Sequence, residues 1–263
     1  MERTELNNST VVKNISTDQS EILKWIIDLH NNGNTFDCDI TASELKFYHS
    51  KDGKYDIPTP KILMDVYPVN DNIIKITPFE KLPLEDNSVS SIVCDLPFVC
   101  SPKTCKSVVD KKEGANIISN RFASWYPMQE GYENIYWWIN ECKRVLKEDG
   151  ILVWKMQSSV SGGLQHWLAE FSALCAADCG LYIKDQFILE AKARLISASK
   201  INKQQHARKY TSTFWVFKKD DKRDKKLIFF QNLKNAREKC MREKCGRLNK
   251  RSHFLCFNSL FII

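Results

Sequence analysis

Residues 90–102 read SSIVCDLPFVCSP. The apolar run Ile92-Val93-Cys94 ends on an acid, Asp95, and Leu96-Pro97-Phe98 follow. A short continuous apolar run that stops at turn chemistry reads as a strand covered on both faces, which is the habit of parallel sheets. Ligands of such sheets bind beyond the carboxyl ends of the strands. Asp95-Leu96-Pro97-Phe98 is therefore either an ordinary strand exit or the lip of a site, and the rest of the chain has to decide between them.

Working outward, residues 151–154 (ILVW) are a second continuous apolar run, and residues 61–64, 72–76, 182–189 and 213–217 read as further strands. Residues 35–39 (TFDCD) form a short strand that also ends in acids. Ile22, Ile26 and Leu29 recur at helical spacing, predicting a helix over 17–29 with Thr17 as N-cap and Gly33 as its stop. Ile135, Trp138, Ile139, Cys142, Val145 and Leu146 predict an amphipathic helix over 132–146, closed by Gly150 as a left-handed cap. A further helix is expected over 164–179, stopped by Gly180. Strands alternating with helices imply an α/β fold with a doubly wound, mostly parallel sheet.

The 263-residue chain, 43% hydrophobic, suffices for one large α/β domain. Its ten cysteines include no CxxC pair and no zinc-finger spacing, so no metal site is expected. Reduced cysteines point to an intracellular, reducing compartment, cytoplasmic or nucleoid-associated. No uninterrupted apolar stretch is long enough to span a membrane, and residues 1–16 read as a polar leader. The net charge of +7 is concentrated in residues 218–251, which hold fourteen Lys/Arg against five Asp/Glu. Residues 220–263 are thus a basic C-terminal extension, either a polyanion contact or a solvated tail, attached to a nearly neutral domain at 17–219.

Asp39, Asp65 and Asp95 each end a strand, which is better explained by one shared crevice than by coincidence. Asp65 is placed to accept from a ribose diol or to cap its own turn, and Thr77-Pro78 to edge an adenine ring. At Asp95 a carboxylate and a neighbouring carbonyl make two acceptors for one exocyclic amino group. Pro97 stiffens the turn, and Phe98 offers a face to a base that has left its stack. The ordinary alternative is a solvated Asp95 with Phe98 folded back into the core.

With these strands in this order, DLPF at 95–98 and the unit LKEDGILVWK at 146–155 resemble the S-adenosylmethionine-dependent amino-methyltransferases. Their hallmark is Asp-Pro-Pro-Tyr/Phe or Asn-Pro-Pro-Tyr after the fourth strand. NIISNRF (116–122) and INKQQHARKYTSTFWVFKK (201–219) are similar to small phage and bacterial DNA methyltransferases. The resemblance spans residues 34–219 and implies a Rossmann-like methyltransferase fold using S-adenosylmethionine. It assigns Asp95 and the Leu96 carbonyl to the target amino group, Phe98 to the base, Asp65 to the cofactor ribose, and Asp39 and Thr41 to the methionine moiety. Leu96 departs from the family's first proline, and the loop after residue 39 holds no glycine between Gly33 and Gly53. The expected activity is methylation of a DNA base, adenine N6 ahead of cytosine N4. An RNA methyltransferase and a catalytically silent nucleic-acid-binding module are the alternatives.

Nucleic-acid contacts are expected from Arg121 and Phe122, with Trp125 and Tyr126 nearby, and from His206, Arg208 and Lys209. These mixtures suit phosphates and unstacked bases, although each is equally a solvated loop with its aromatics tucked inward. With no large insertion for target recognition, narrow sequence specificity falls to short loops or to a protein partner.

Overall fold

The structure, a computed structural model, describes residues 11–49, 56–100, 124–125, 128–161, 163–192 and 206–220. Among the described residues, twelve strands and three helices run in the order β1 (Ile15–Ser16), α1 (Gln19–His30), β2 (Cys38–Asp39), β3 (Ile62–Asp65), β4 (Ile74–Lys75), β5 (Val89–Asp95), β6 (Val99–Cys100), β7 (Ser124–Trp125), α2 (Met128–Val145), β8 (Leu146–Met156), β9 (Ser159–Ser161), β10 (Leu164–His166), α3 (Leu168–Asp178), β11 (Tyr182–Glu190) and β12 (Thr211–Lys218). Eight of them make the main sheet, ordered β1-β11-β12-β8-β5-β2-β3-β4. Strand β12 is antiparallel to both β11 and β8, and the other pairs are parallel.

The central strands explain the two covered faces. Along β8, Ile151 and Val153 join α1's Ile22, Leu23, Ile26 and Ile27 in one core, while Leu152, Trp154 and Met156 join residues of α2 and α3 in the other. The same alternation splits Val93 from Ile92 and Cys94 on β5. A strand buried on both sides has no polar face to show, which is why both runs are nearly continuous in sequence. Cys38, Cys94, Cys142 and Cys175 are buried as free thiols, and burial pushes Cys94 and Cys142 far above the ordinary thiol range. Among the described residues no cluster could hold a metal, and no helix is long and apolar enough to cross a membrane.

Several local expectations are corrected. Helix α1 is capped by Asp18, not Thr17: its carboxylate accepts from Ser20 N at 2.8 Å and Glu21 N at 3.4 Å. Near the start of β8 the left-handed residue is Asp149 (φ 65°), and Gly150 serves close approach instead. A Cβ at Gly150 would sit 2.8 Å from the Lys147 carbonyl and 3.0 Å from that of Ser90. The helix expected over 164–179 starts at Leu168, because residues 164–166 pair with β9 as an antiparallel hairpin. Among the described residues, the β2–β3, β3–β4 and β4–β5 connections contain no helix. Residues 221–263, which include the basic tail, lie outside the described set, as does the polar leader through residue 10.

Candidate active site

The chain leaves β2 toward β3 and β4 on one side, and reaches β5 and β8 on the other. The order therefore reverses at β2, and the carboxyl ends of β2, β3 and β5 frame the crevice such a reversal creates. Asp39, Asp65 and Asp95 are the last residues of those three strands. The loop after β2 ties them together. Asp39 Oδ1 accepts from Thr41 N at 2.7 Å and from the Thr41 hydroxyl at 3.1 Å, and the same hydroxyl accepts from Asp95 N at 2.8 Å. Asp65 accepts from Ser43 N at 2.8 Å on one oxygen and from Tyr67 N at 2.7 Å on the other.

Asp39 is only 1% exposed, and its second oxygen accepts from the Tyr48 hydroxyl, itself fully buried. Burial raises its pKa to about 7, against the opposing hydrogen bonds from Tyr48 and Thr41 and with Asp95 adding to the rise. Its acceptors face inward, so Asp39 supports the crevice floor instead of lining it. Asp65 differs in being half-buried at the rim, where a carboxylate with two lone pairs on each oxygen can accept several bonds at once. A ribose diol can be received there. The loop achieves its turn without glycine by placing Ser43 (φ 47°) and Leu45 (φ 60°) in the left-handed region. Ala42 N donates to the Met64 carbonyl at 2.9 Å, holding the loop on β3. Acceptors at the half-buried Asp65 suit a diol such as that of the ribose in S-adenosylmethionine, whereas the oxygens of the buried Asp39 accept from Thr41 and Tyr48.

At the other wall, Lys155 of β8 is the register partner of Asp95, and its ammonium donates to Asp95 Oδ2 at 2.7 Å. The lysine lies 5.1 Å from the centre of the Phe47 ring and 5.8 Å from that of Phe214. This partner was legible only as the last residue of LKEDGILVWK; its meeting with Asp95 needed the β5–β8 register. Leu96 is buried, and Phe98 is half-buried against the core, intermediate between the lip and the ordinary strand exit. The Pro97 carbonyl accepts from Trp125 Nε1 at 2.6 Å. Trp125, expected in a nucleic-acid loop, is instead 2% exposed and braces the DLPF turn from within. Thr77 is exposed just past β4.

His206, Arg208 and Lys209 reach the same rim of the sheet. His206 Nε2 lies 2.8 Å from the Gly163 carbonyl, Gln157 Nε2 donates to the Lys209 carbonyl at 3.3 Å, and Lys209 Nζ is 4.7 Å from the centre of the Trp167 ring. Arg208 is exposed. Arg121 and Phe122 lie outside the described residues.

A reversed-order parallel sheet with one antiparallel strand near its end, acids at three adjoining strand ends and DLPF beyond β5 defines a Rossmann-like methyltransferase fold. A family profile described as DNA methylase, of the N6/N4 type, matches residues 89–255, and the chain belongs to that family. No curated protein matches it. Among solved structures it is similar to PvuII DNA methyltransferase (cytosine-N4-specific), at 19% identity and TM-score 0.33, covering 52% of this chain and 44% of that one. It is similar to a DNA modification methylase of Thermus thermophilus, so described and solved with S-adenosyl-L-methionine, at 12% identity and TM-score 0.31, covering 52% and 48%. A SAM-dependent methyltransferase from Methanosarcina mazei matches at 10% identity and TM-score 0.34, covering 84% and 99%. The chain spans about half the length of the DNA methylases it matches.

Proposed function

We propose that the protein transfers a methyl group from S-adenosylmethionine to an exocyclic amino group of a DNA base, adenine N6 ahead of cytosine N4. The observation that carries this reading is Asp95-Leu96-Pro97-Phe98 at the carboxyl end of β5, beside the strand reversal and opposite Asp65.

A bound sulfonium supplies an electrophilic methyl carbon, so the protein's task is positioning and charge support. Asp65 holds the ribose diol, and the exposed Thr77 edges the adenine ring. Lys155 fixes Asp95 Oδ2, which leaves Oδ1 to accept from the target amino group and turn its lone pair toward the methyl carbon. The Leu96 carbonyl takes the second N–H, and Phe98 stacks on the base. Formation of the N–C bond would be matched by cleavage of the methyl carbon–sulfur bond, leaving a neutral thioether, while one amino proton would pass by way of the Asp95 carboxylate to solvent. Arg208 and Lys209 hold the phosphates.

Calorimetric titration with S-adenosylmethionine, followed by labelled-methyl transfer to DNA and RNA and nucleoside analysis of the product, tests the reading. Saturable binding and label in N6-methyladenine of DNA are expected, and Asp65→Ala should weaken cofactor binding without a loss of fold. A folded protein that binds no cofactor at millimolar concentration refutes the activity. Label in RNA alone, or in N4-methylcytosine, would replace the substrate.

A further inference from the structure

Helix α3 begins in an unusual way. Its N-cap is Trp167, whose side chain makes no capping hydrogen bond, although Ser, Thr, Asp or Asn usually stands there. The cap is delivered from the preceding loop: Ser158 Oγ accepts from Ala169 N at 3.2 Å and donates to Glu170 at 2.6 Å. Position 167 is thereby released from capping, and it carries an indole that is 53% exposed. Leu164, at 66%, and Val160, at 40%, are exposed on the same hairpin, and Tyr210, at 43%, on the adjoining segment.

The patch is held firmly. Tyr132 of α2 pairs with His166 Nδ1 at 3.2 Å and packs its ring against Phe171 of α3. The 206–210 segment is fixed to the hairpin through Gly163 and Gln157. Strand β9 packs beside β6, which directly follows Phe98, so the patch adjoins the DLPF lip. An aromatic surface with Lys209 Nζ over the Trp167 ring at 4.7 Å and the exposed Arg208 next to it in the chain matches a polyanion whose bases are unstacked. An apolar protein surface would have no use for those charges.

We propose that Trp167 is a stacking platform for a DNA base next to the target nucleotide. The proposal rests on the reading of the crevice as a base-methylating site and adds a second contact outside it. A duplex from which one base has been withdrawn leaves its neighbours partly unstacked, and an indole at the rim replaces the lost partner.

The test is anisotropy of a fluorescein-labelled single-stranded oligonucleotide titrated with the full chain at several salt concentrations. Trp167→Ala should weaken binding on the order of ten-fold, as loss of one base–aromatic stack does, without changing the slope of log affinity against log salt. Trp167→Phe should retain most of the affinity, and Arg208→Gln should flatten the slope. Unchanged affinity in Trp167→Ala overturns the proposal, as does equal weakening by Ala and Phe, or a chain that binds no oligonucleotide. Methyl transfer by the unaltered protein is scored separately, so a failed platform leaves the enzymatic reading standing, and an inactive protein leaves the platform measurable.

Discussion

Lys155 and Asp95 form a pair whose side chains are 12% and 25% exposed, with the ammonium near two phenylalanine rings. An ammonium in such surroundings needs its counterion, because the protein there supplies little else to solvate it. Asp95→Ala therefore removes two things at once, the proposed acceptor of the target amine and the partner of a lysine. It should abolish transfer, keep cofactor affinity, and destabilise by up to about 3 kcal/mol in urea melts. Lys155→Met frees Asp95 to swing, and misplacement of a positioning group should slow single-turnover transfer on the order of a hundred-fold. The double variant separates the effects: stability should return toward wild type while transfer stays absent. Stability losses that simply add would show that the pair is not coupled.

At the scale of elements, the turn that presents DLPF depends on a helix that starts at Met128, four residues ahead of the expected 132–146, and on a contact the sequence did not reveal. Gly131 lies in α2, where a Cβ would come 2.8 Å from Trp125 Cδ1 and 2.9 Å from Cγ. Trp125 in turn donates to the Pro97 carbonyl. In an exposed helix, Gly→Ala gains roughly 1 kcal/mol. Here it should lose about 1–3 kcal/mol through overpacking and lower methyl transfer, with cofactor affinity unchanged, because the displaced indole releases Pro97. A Gly131→Ala protein that is more stable and fully active would remove Trp125 from its bracing role. Strands β5 and β8 and helix α2 were legible because their apolar patterns have one interpretation. The β9–β10 hairpin was not. Leu164, Leu168, Phe171 and Cys175 continue a helical spacing across it, and only the Gly162-Gly163 pair signals a turn. The true start of α3 is set by Ser158, ten residues before the helix and outside any local window.

At the scale of the molecule, the three strand-end acids do fall on adjoining strands, but their different depths did not show in the sequence. Asp95 and Asp65 are half-buried at the rim, whereas Asp39 lies under the loop, held by Thr41 and Tyr48. A carboxyl group whose pKa is raised from 3.8 to about 7 binds a proton in the folded state that the unfolded chain has already lost between those pH values. The sign follows: stability contributed by this group is highest below about pH 4, falls as pH rises toward 7, and stays low above it. Three pH units correspond to at most about 4 kcal/mol. Asp39→Asn places an amide where the protonated acid has its hydroxyl, and its oxygen can still accept from Thr41 N. Urea unfolding at pH 5 and pH 8 should therefore show wild-type stability dropping steeply between the two, with the Asn variant nearly flat and the more stable of the pair at pH 8. Parallel slopes in both proteins would mean that Asp39 is ionised throughout, with its charge fully met by Tyr48 and Thr41. The carboxyl at the end of β2 would then be a buried anion instead of a neutral support.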